Sequence, residues 1–222
     1  RRAAVTLGLL AFGAAGLVSY VKWREPPTVL EKSIAVLPFE NLSKDNTNGY
    51  FAAGIQDDVL TSLAKIHQLR VISRTSVLSY QKPISRDLRE IGQALGVENV
   101  LEGSVRREGD RVLLNVQLSD ARTDRHIWAE RYDRTGADAI GLEGELASEI
   151  AAALEAKLAP EAEERLAKKP TANPEAYTLY LRGLGWERVV NPSVESPIAA
   201  EQLYAPHVAL DPKFALARVR LY

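Results

Sequence analysis

Between Arg111 and Asp120 the chain reads RVLLNVQLSD, with Val112, Leu114, Val116 and Leu118 alternating against Leu113, Asn115, Gln117 and Ser119. A period of two predicts a strand with one face in a core and the other partly wet. Strands are also predicted on either side, over Glu98 to Arg107 and His126 to Arg134. Gly109 with Asp110 suits a tight hairpin between the first two, and Ala121 to Arg125 makes a slightly longer second link. Val97 to Arg134 is thus a three-strand meander.

Upstream, Ser33 to Phe39 (SIAVLPF) is a β-branched run closed by Pro38, a strand whose end leaves the ladder. Asn41 to Asn48 is polar loop with several candidate helix caps. Phe51, Ile55, Val59, Leu63 and Ile66 then recur at three- and four-residue spacing, one apolar helix face. Asp57 and Asp58 fall off that face, and since adjacent helix residues diverge they are expected in solvent rather than as an acid pair. Leu69 to Ser73 is a second short strand, after which Arg74, Thr75 and Ser76 open a helical turn. Ser85 is the expected cap of the next helix, striped by Leu88, Ile91 and Leu95 and stopped by Gly96.

Downstream of the meander, Leu142, Leu146, Ile150, Leu154 and Leu158 predict a long helix over Asp138 to Leu158, with acidic residues early and Lys157 late to suit the helix dipole. Pro160 breaks it, and the charged stretch Glu161 to Lys169, ending at Pro170, is the expected domain boundary. Pro174 to Arg188 and Pro197 to Leu210 predict a helical pair, with a third helix after Asp211 and Pro212. The order strand, helix, strand, helix, three-strand meander, long helix specifies an α/β fold on a mixed sheet.

The amino terminus has a different pattern. Ala3 to Val21 is nineteen residues without a charge, bracketed by Arg1 and Arg2 before and by Lys22 and Arg24 after. A helix of about 20 apolar residues spans the hydrocarbon layer, and Tyr20 and Trp23 fall where an interfacial belt sits. A signal peptide would show a small-residue cleavage site, which VSYVKWREPP lacks. A core helix would carry a polar face. A transmembrane helix is therefore expected, its orientation left open by the balanced flanking charges, with Pro26 and Pro27 stiffening the linker that follows. The chain starts with Arg and contains no Met, so it is expected to be a piece of a longer protein.

Composition narrows the chemistry. The 222 residues are 46% hydrophobic and 26% charged, as in ordinary globular proteins, and the net charge of -1 argues against a nucleic-acid contact by this segment. The absence of cysteine excludes disulfides, thiolate zinc sites and cysteine nucleophiles. Gly136 to Glu143 (GADAIGLE) has the glycines of a phosphate loop but puts Leu142 and Glu143 where Lys and Ser or Thr belong. His67, His126 and His207 are far apart without ligand spacing. No metal, cofactor or catalytic residue is expected.

Two clusters remain as candidates. Ser73, Arg74, Thr75 and Ser76 at a helix start could hold an anion, although a plain cap beside a surface arginine explains them as well. Arg106, Arg107 and Arg111 around the hairpin, with Trp128 and Tyr132 on the third strand, form a candidate partner-binding set. A solvated turn and core packing of the aromatics are the competing explanations.

Several blocks in order carry a family likeness: SIAVLPFENLS (33–43), GYFAAGIQDDVLTSLAKI (49–66), LRVISRTSV (69–77), IGQALGVENVLEGSVRREGDRVLLNVQLSDARTD (91–124) and HIWAERYDR (126–134). They resemble the TolB-like amino-terminal domain of bacterial membrane-anchored adenylate cyclase and transcriptional regulator proteins. Asn173 to Gly183 and the set Ala200, Tyr204, Leu210, Asp211 and Pro212 look like a tetratricopeptide repeat, with departures at Pro206 and His207. The resemblance implies a transmembrane helix at 3–21, the α/β domain at 33–159 and a partial helical repeat at 174–222. It also implies an output domain upstream and a periplasmic soluble part on the bacterial inner membrane. The function expected is a non-catalytic sensory or scaffolding segment of a single-pass signalling protein that binds a protein partner. The alternatives are the regulatory part of a membrane-anchored class III nucleotide cyclase and an envelope assembly protein.

Overall fold

The computed structural model describes residues 30–44, 49–81, 87–156, 158–189, 204–206 and 208–221. The transmembrane helix expected at 3–21 and the cap expected at Ser85 lie outside these residues, and no described helix is long and apolar enough to cross a membrane.

The central sheet contains β1 (Leu30–Val36), β2 (Glu40–Asn41), β3 (Arg70–Val71), β4 (Val97–Glu108), β5 (Arg111–Asp120) and β6 (Arg125–Thr135), in the order β3-β1-β4-β5-β6, with β2 also on β4. β1 runs parallel to β3 and β4, whereas β4, β5 and β6 form the antiparallel meander, so the sheet is mixed as expected. Gly109 takes φ 61° in the two-residue turn between β4 and β5, a backbone state open to glycine at little cost.

The helices are α1 (Gly49–Leu63), the single turn α2 (Arg74–Val77), α3 (Leu88–Leu95), α4 (Leu142–Ala153), α5 (Pro160–Ala167), α6 (Pro174–Val189) and α7 (Ala215–Leu221). Asp87 caps α3, its carboxylate accepting from the Arg89 amide at 2.9 Å, and Gly96 closes it at φ 63°. The long helix expected over Asp138 to Leu158 is shorter, because Gly141 at φ 89° delays its start and Glu155 at φ 53° turns the chain beyond its end. Pro160 does not merely break a helix; it occupies the first position of α5, where its missing amide costs nothing.

The two sheet faces are covered unequally. On one, Ile34, Val36, Leu101, Leu114 and Leu118 pack beneath α1, α4 and α6 in the main core. On the other, Ala35, Leu37, Val100 and Ala121 pack against Val77, Leu88 and Ile91 in a smaller core. Among the described residues that second layer stops at one end of the sheet, and no helix covers the outer face of the hairpin half of β4, β5 and β6, called the bare face below. The predicted alternation along β5 is what makes this tolerable: Val112, Leu114, Val116 and Leu118 point into the main core, and Arg111, Leu113, Asn115 and Gln117 point out.

α1 is enclosed along most of its length, with only Thr61 exposed. The sheet lies beneath it and α6 runs along its back, so Asp57 and Asp58, expected in solvent, are both buried. The burial follows from the second helix layer, formed by residues 119 positions away in the case of Tyr177.

Candidate functional site

The bare face is built by strand register. Ser104 stands opposite Asn115, Arg106 opposite Leu113, and Asn115 opposite Arg131. Asn115 donates to the Ser104 hydroxyl at 3.3 Å, and the Arg111 guanidinium forks onto Asp133 at 2.6 and 2.5 Å. That pairing lowers the Asp133 carboxyl below its ordinary range and raises Arg111. Arg106, Asn115, Ala129 and Arg131 are exposed, and Leu113 is half-buried among them. The result is a flat polar surface with an aliphatic spot.

The five residues expected to act as one partner-binding set are divided between the two faces. Arg106 and Arg111 lie on the bare face. Arg107, one residue out of phase, lies on the core side with its guanidinium 4.9 Å from the Phe51 ring, and burial followed by the nearby Arg182 lowers its pKa. Trp128 is opposite the buried Leu118 and packs against the main core. Tyr132 is only 2% exposed, and its hydroxyl donates to Glu149 on α4 at 2.7 Å. Burial, then that carboxylate, raises the phenol well above its ordinary value. The period-two alternation that predicts the strands also makes a single patch of these five impossible.

The candidate anion cluster gains no such geometry. α2 is a single turn, Ser73 makes no side-chain cap bond, and the hydroxyls of Ser73 and Ser76 bond to each other at 3.1 Å.

A third constellation joins distant helices. The Tyr177 hydroxyl on α6 lies 3.1 Å from Asp58 on α1 and 2.8 Å from Glu143 at the start of α4. Burial, reinforced by Glu143 and Asp57 and opposed by the Tyr177 hydrogen bond and by Lys65, pushes Asp58 up to about 8. Burial also raises Glu143. For Tyr177, burial and then the two carboxylates push the phenol upward. The spacing of Asp57 and Asp58 gave no hint of this. The signal in the sequence was that GYFAAGIQDDVLTSL contains no Lys, Arg or Glu, leaving α1 without the charged face a surface helix normally shows. Among the described residues no group of three or more His, Asp or Glu is arranged to hold a metal ion.

A mixed sheet packed under helices on one face and covered over only part of the other defines an α/β domain. The chain belongs to the family described as HilA/YgeH-like transcriptional regulator, second domain, which residues 30–149 match. It is 40% identical over 199 residues to "Putative adenylate cyclase 3" of Rhizobium meliloti (strain 1021), an alignment covering 89% of this chain and 33% of that protein. The chain therefore spans about a third of the length of this relative.

Solved structures with a partial likeness include lipoprotein GNA1162 of Neisseria meningitidis, with 21% identity over 58% of this chain and 99% of that chain, at a TM-score of 0.42. TolB of Acinetobacter baumannii matches with 20% identity over 59% of this chain and 30% of that chain, at a TM-score of 0.42. The LpoB C-terminal domain of Salmonella enterica matches with 19% identity over 54% and 93% of the respective chains, at 0.40.

Proposed function

We propose that this chain is the non-catalytic, extracytoplasmic sensory or scaffolding segment of a single-pass protein of the bacterial inner membrane, and that it binds a protein partner through the bare face of β4, β5 and β6. The observation that carries this reading is that face itself. A sheet of this kind needs helices on both sides only where its residues are apolar on both sides, and Arg106, Asn115 and Arg131 keep this half wet while Leu113 supplies apolar area at its centre. Arg is favoured at protein interfaces because its planar donors pair with carboxylates and carbonyls at once. The membrane placement is supported by the uncharged run at Ala3 to Val21.

A second reading, the regulatory part of a membrane-anchored nucleotide cyclase, is favoured by the name of the 40% identical relative. The two are compatible if the scaffold segment biases a cyclase elsewhere in the protein. The family description raises transcriptional control as the other output.

The test has two arms. The soluble segment from Glu25 to Tyr222, supplied with ATP or GTP, forms no cyclic nucleotide; turnover that survives purification and is abolished by a point change in this segment contradicts the non-catalytic reading. A reporter fused after Tyr222 is active only in the periplasm, and cytoplasmic activity inverts the topology.

A further inference from the structure

The Asp58, Glu143 and Tyr177 junction lies on the helix-covered side of the sheet, away from the bare face, with Asp58 and Tyr177 buried and Glu143 half-buried. A cavity of about 10 Å³ adjoins it among the described residues, lined by Phe51, Ile55, Leu142, Tyr177 and Leu181 among others, at most room for one water. What it does is hold three helices together. A phenol has one proton to donate, and here two carboxylate oxygens lie within hydrogen-bond distance of it. If both carboxylates are ionised, one of them goes without that donor beside a like charge; Glu143, partly exposed, still accepts from the backbone amides of Gly141 and of its own residue, so the cost falls on the buried Asp58. Leaving a buried charge uncompensated is far more costly than losing an ordinary hydrogen bond. If the carboxyl pair holds one proton, every oxygen in the junction can be satisfied: the acid donates, the phenol donates onward, and one negative charge remains.

We propose that the docking of α6 onto α1 and α4 is proton-linked, with Tyr177 closing over Asp58 and Glu143 only while that carboxyl pair retains one proton, so that the tail helices loosen from the α/β body as pH rises. The charged groups facing the pair are few. Asp57 on α1 adds to the repulsion, and Lys65, just beyond α1, is the cation that opposes it. From α6 the group facing them is the Tyr177 phenol, itself held protonated by burial. The two carboxyls titrate as a unit, so the proton belongs to the pair rather than to either residue.

The direction follows from linkage. A carboxyl whose proton is held more tightly in the closed form than in the open one favours closure fully below its ordinary range, near pH 4. That advantage is lost progressively as pH rises through the value near 8 set by burial at Asp58. α6 carries the tail with it, because Tyr180 stacks beside Tyr177 and meets Phe214 at a tilt, and the Thr171 hydroxyl just ahead of α6 donates to Asp211 at 2.6 Å. Loosening α6 therefore also loosens Asp211 and Phe214.

Backbone hydrogen exchange of the full chain between pH 5 and 8.5, corrected for the intrinsic pH dependence of exchange, tests this. The expected result is that α6 opening grows with pH by up to about tenfold per unit for one linked proton, while β5 stays level as the internal reference. Asp58→Asn and, separately, Glu143→Gln flatten the α6 profile and leave α6 at pH 8 as protected as the unaltered protein at low pH. If one variant fails to fold, as reported by lost β5 protection, the other gives the result. A level α6 profile in the unaltered protein, or a slope that persists in the folded variants, overturns the proposal.

Discussion

Gly54 on α1 and Leu181 on α6 meet backbone to backbone: a methyl group added at Gly54 would overlap the Leu181 carbonyl. One helical span away the same thing happens in reverse, where Gly185 on α6 faces the Tyr50 carbonyl. Two glycines, one from each helix, thus set how closely the helices cross. They bring the tail into the same core as the sheet, where Tyr177, Leu181 and Leu184 join Val59, Leu63 and Leu146.

Gly54→Ala is accordingly expected to destabilise the protein even though alanine is the better helix former. The helix preference favours Ala by about 1 kcal/mol, whereas overpacking a fixed contact costs about 1–3 kcal/mol and more where backbone must shift. Urea unfolding checks the sign. Gly49→Ala is the control, since a methyl group there meets nothing nearer than the Asn41 side chain at 3.9 Å. A stabilised Gly54→Ala would show that α1 and α6 are not held at this spacing.

The Arg111 to Asp133 fork invites the opposite expectation. Both side chains are well exposed, so water competes for the pair and salt screens it. Arg111→Ala should leave the unfolding midpoint unchanged within error. Its effect belongs to recognition: a charge reversal, Arg111→Glu, is expected to weaken partner engagement while β5 and β6 remain paired, as their amide protection would report.

Much of this architecture could be read from the chain. The alternation along Val112 to Leu118 fixes which face is buried, Gly109 with Asp110 specifies the hairpin, and Gly96 the stop of α3, because each acts through local backbone chemistry. What escaped depended on partners distant in sequence. Local geometry places Asp58 in water because it cannot reveal that α6 covers its side of α1. Ser85 was the expected cap although Asp87 holds that role, both being good caps only two residues apart. Arg107 is next to Arg106, and Tyr132 is next to the bare-face Arg131 and Asp133, yet both face the core, as the parity of their strands requires.

Photocrosslinking in the intact membrane tests most directly whether a protein partner docks on the bare face of β4, β5 and β6. A photoreactive side chain placed at Arg106 on the bare face is compared with one at Glu90, exposed on α3. A discrete adduct is expected from position 106 that is lost when Arg111→Glu is added, with none from position 90. No adduct from position 106, or the same adduct from both positions, would contradict it.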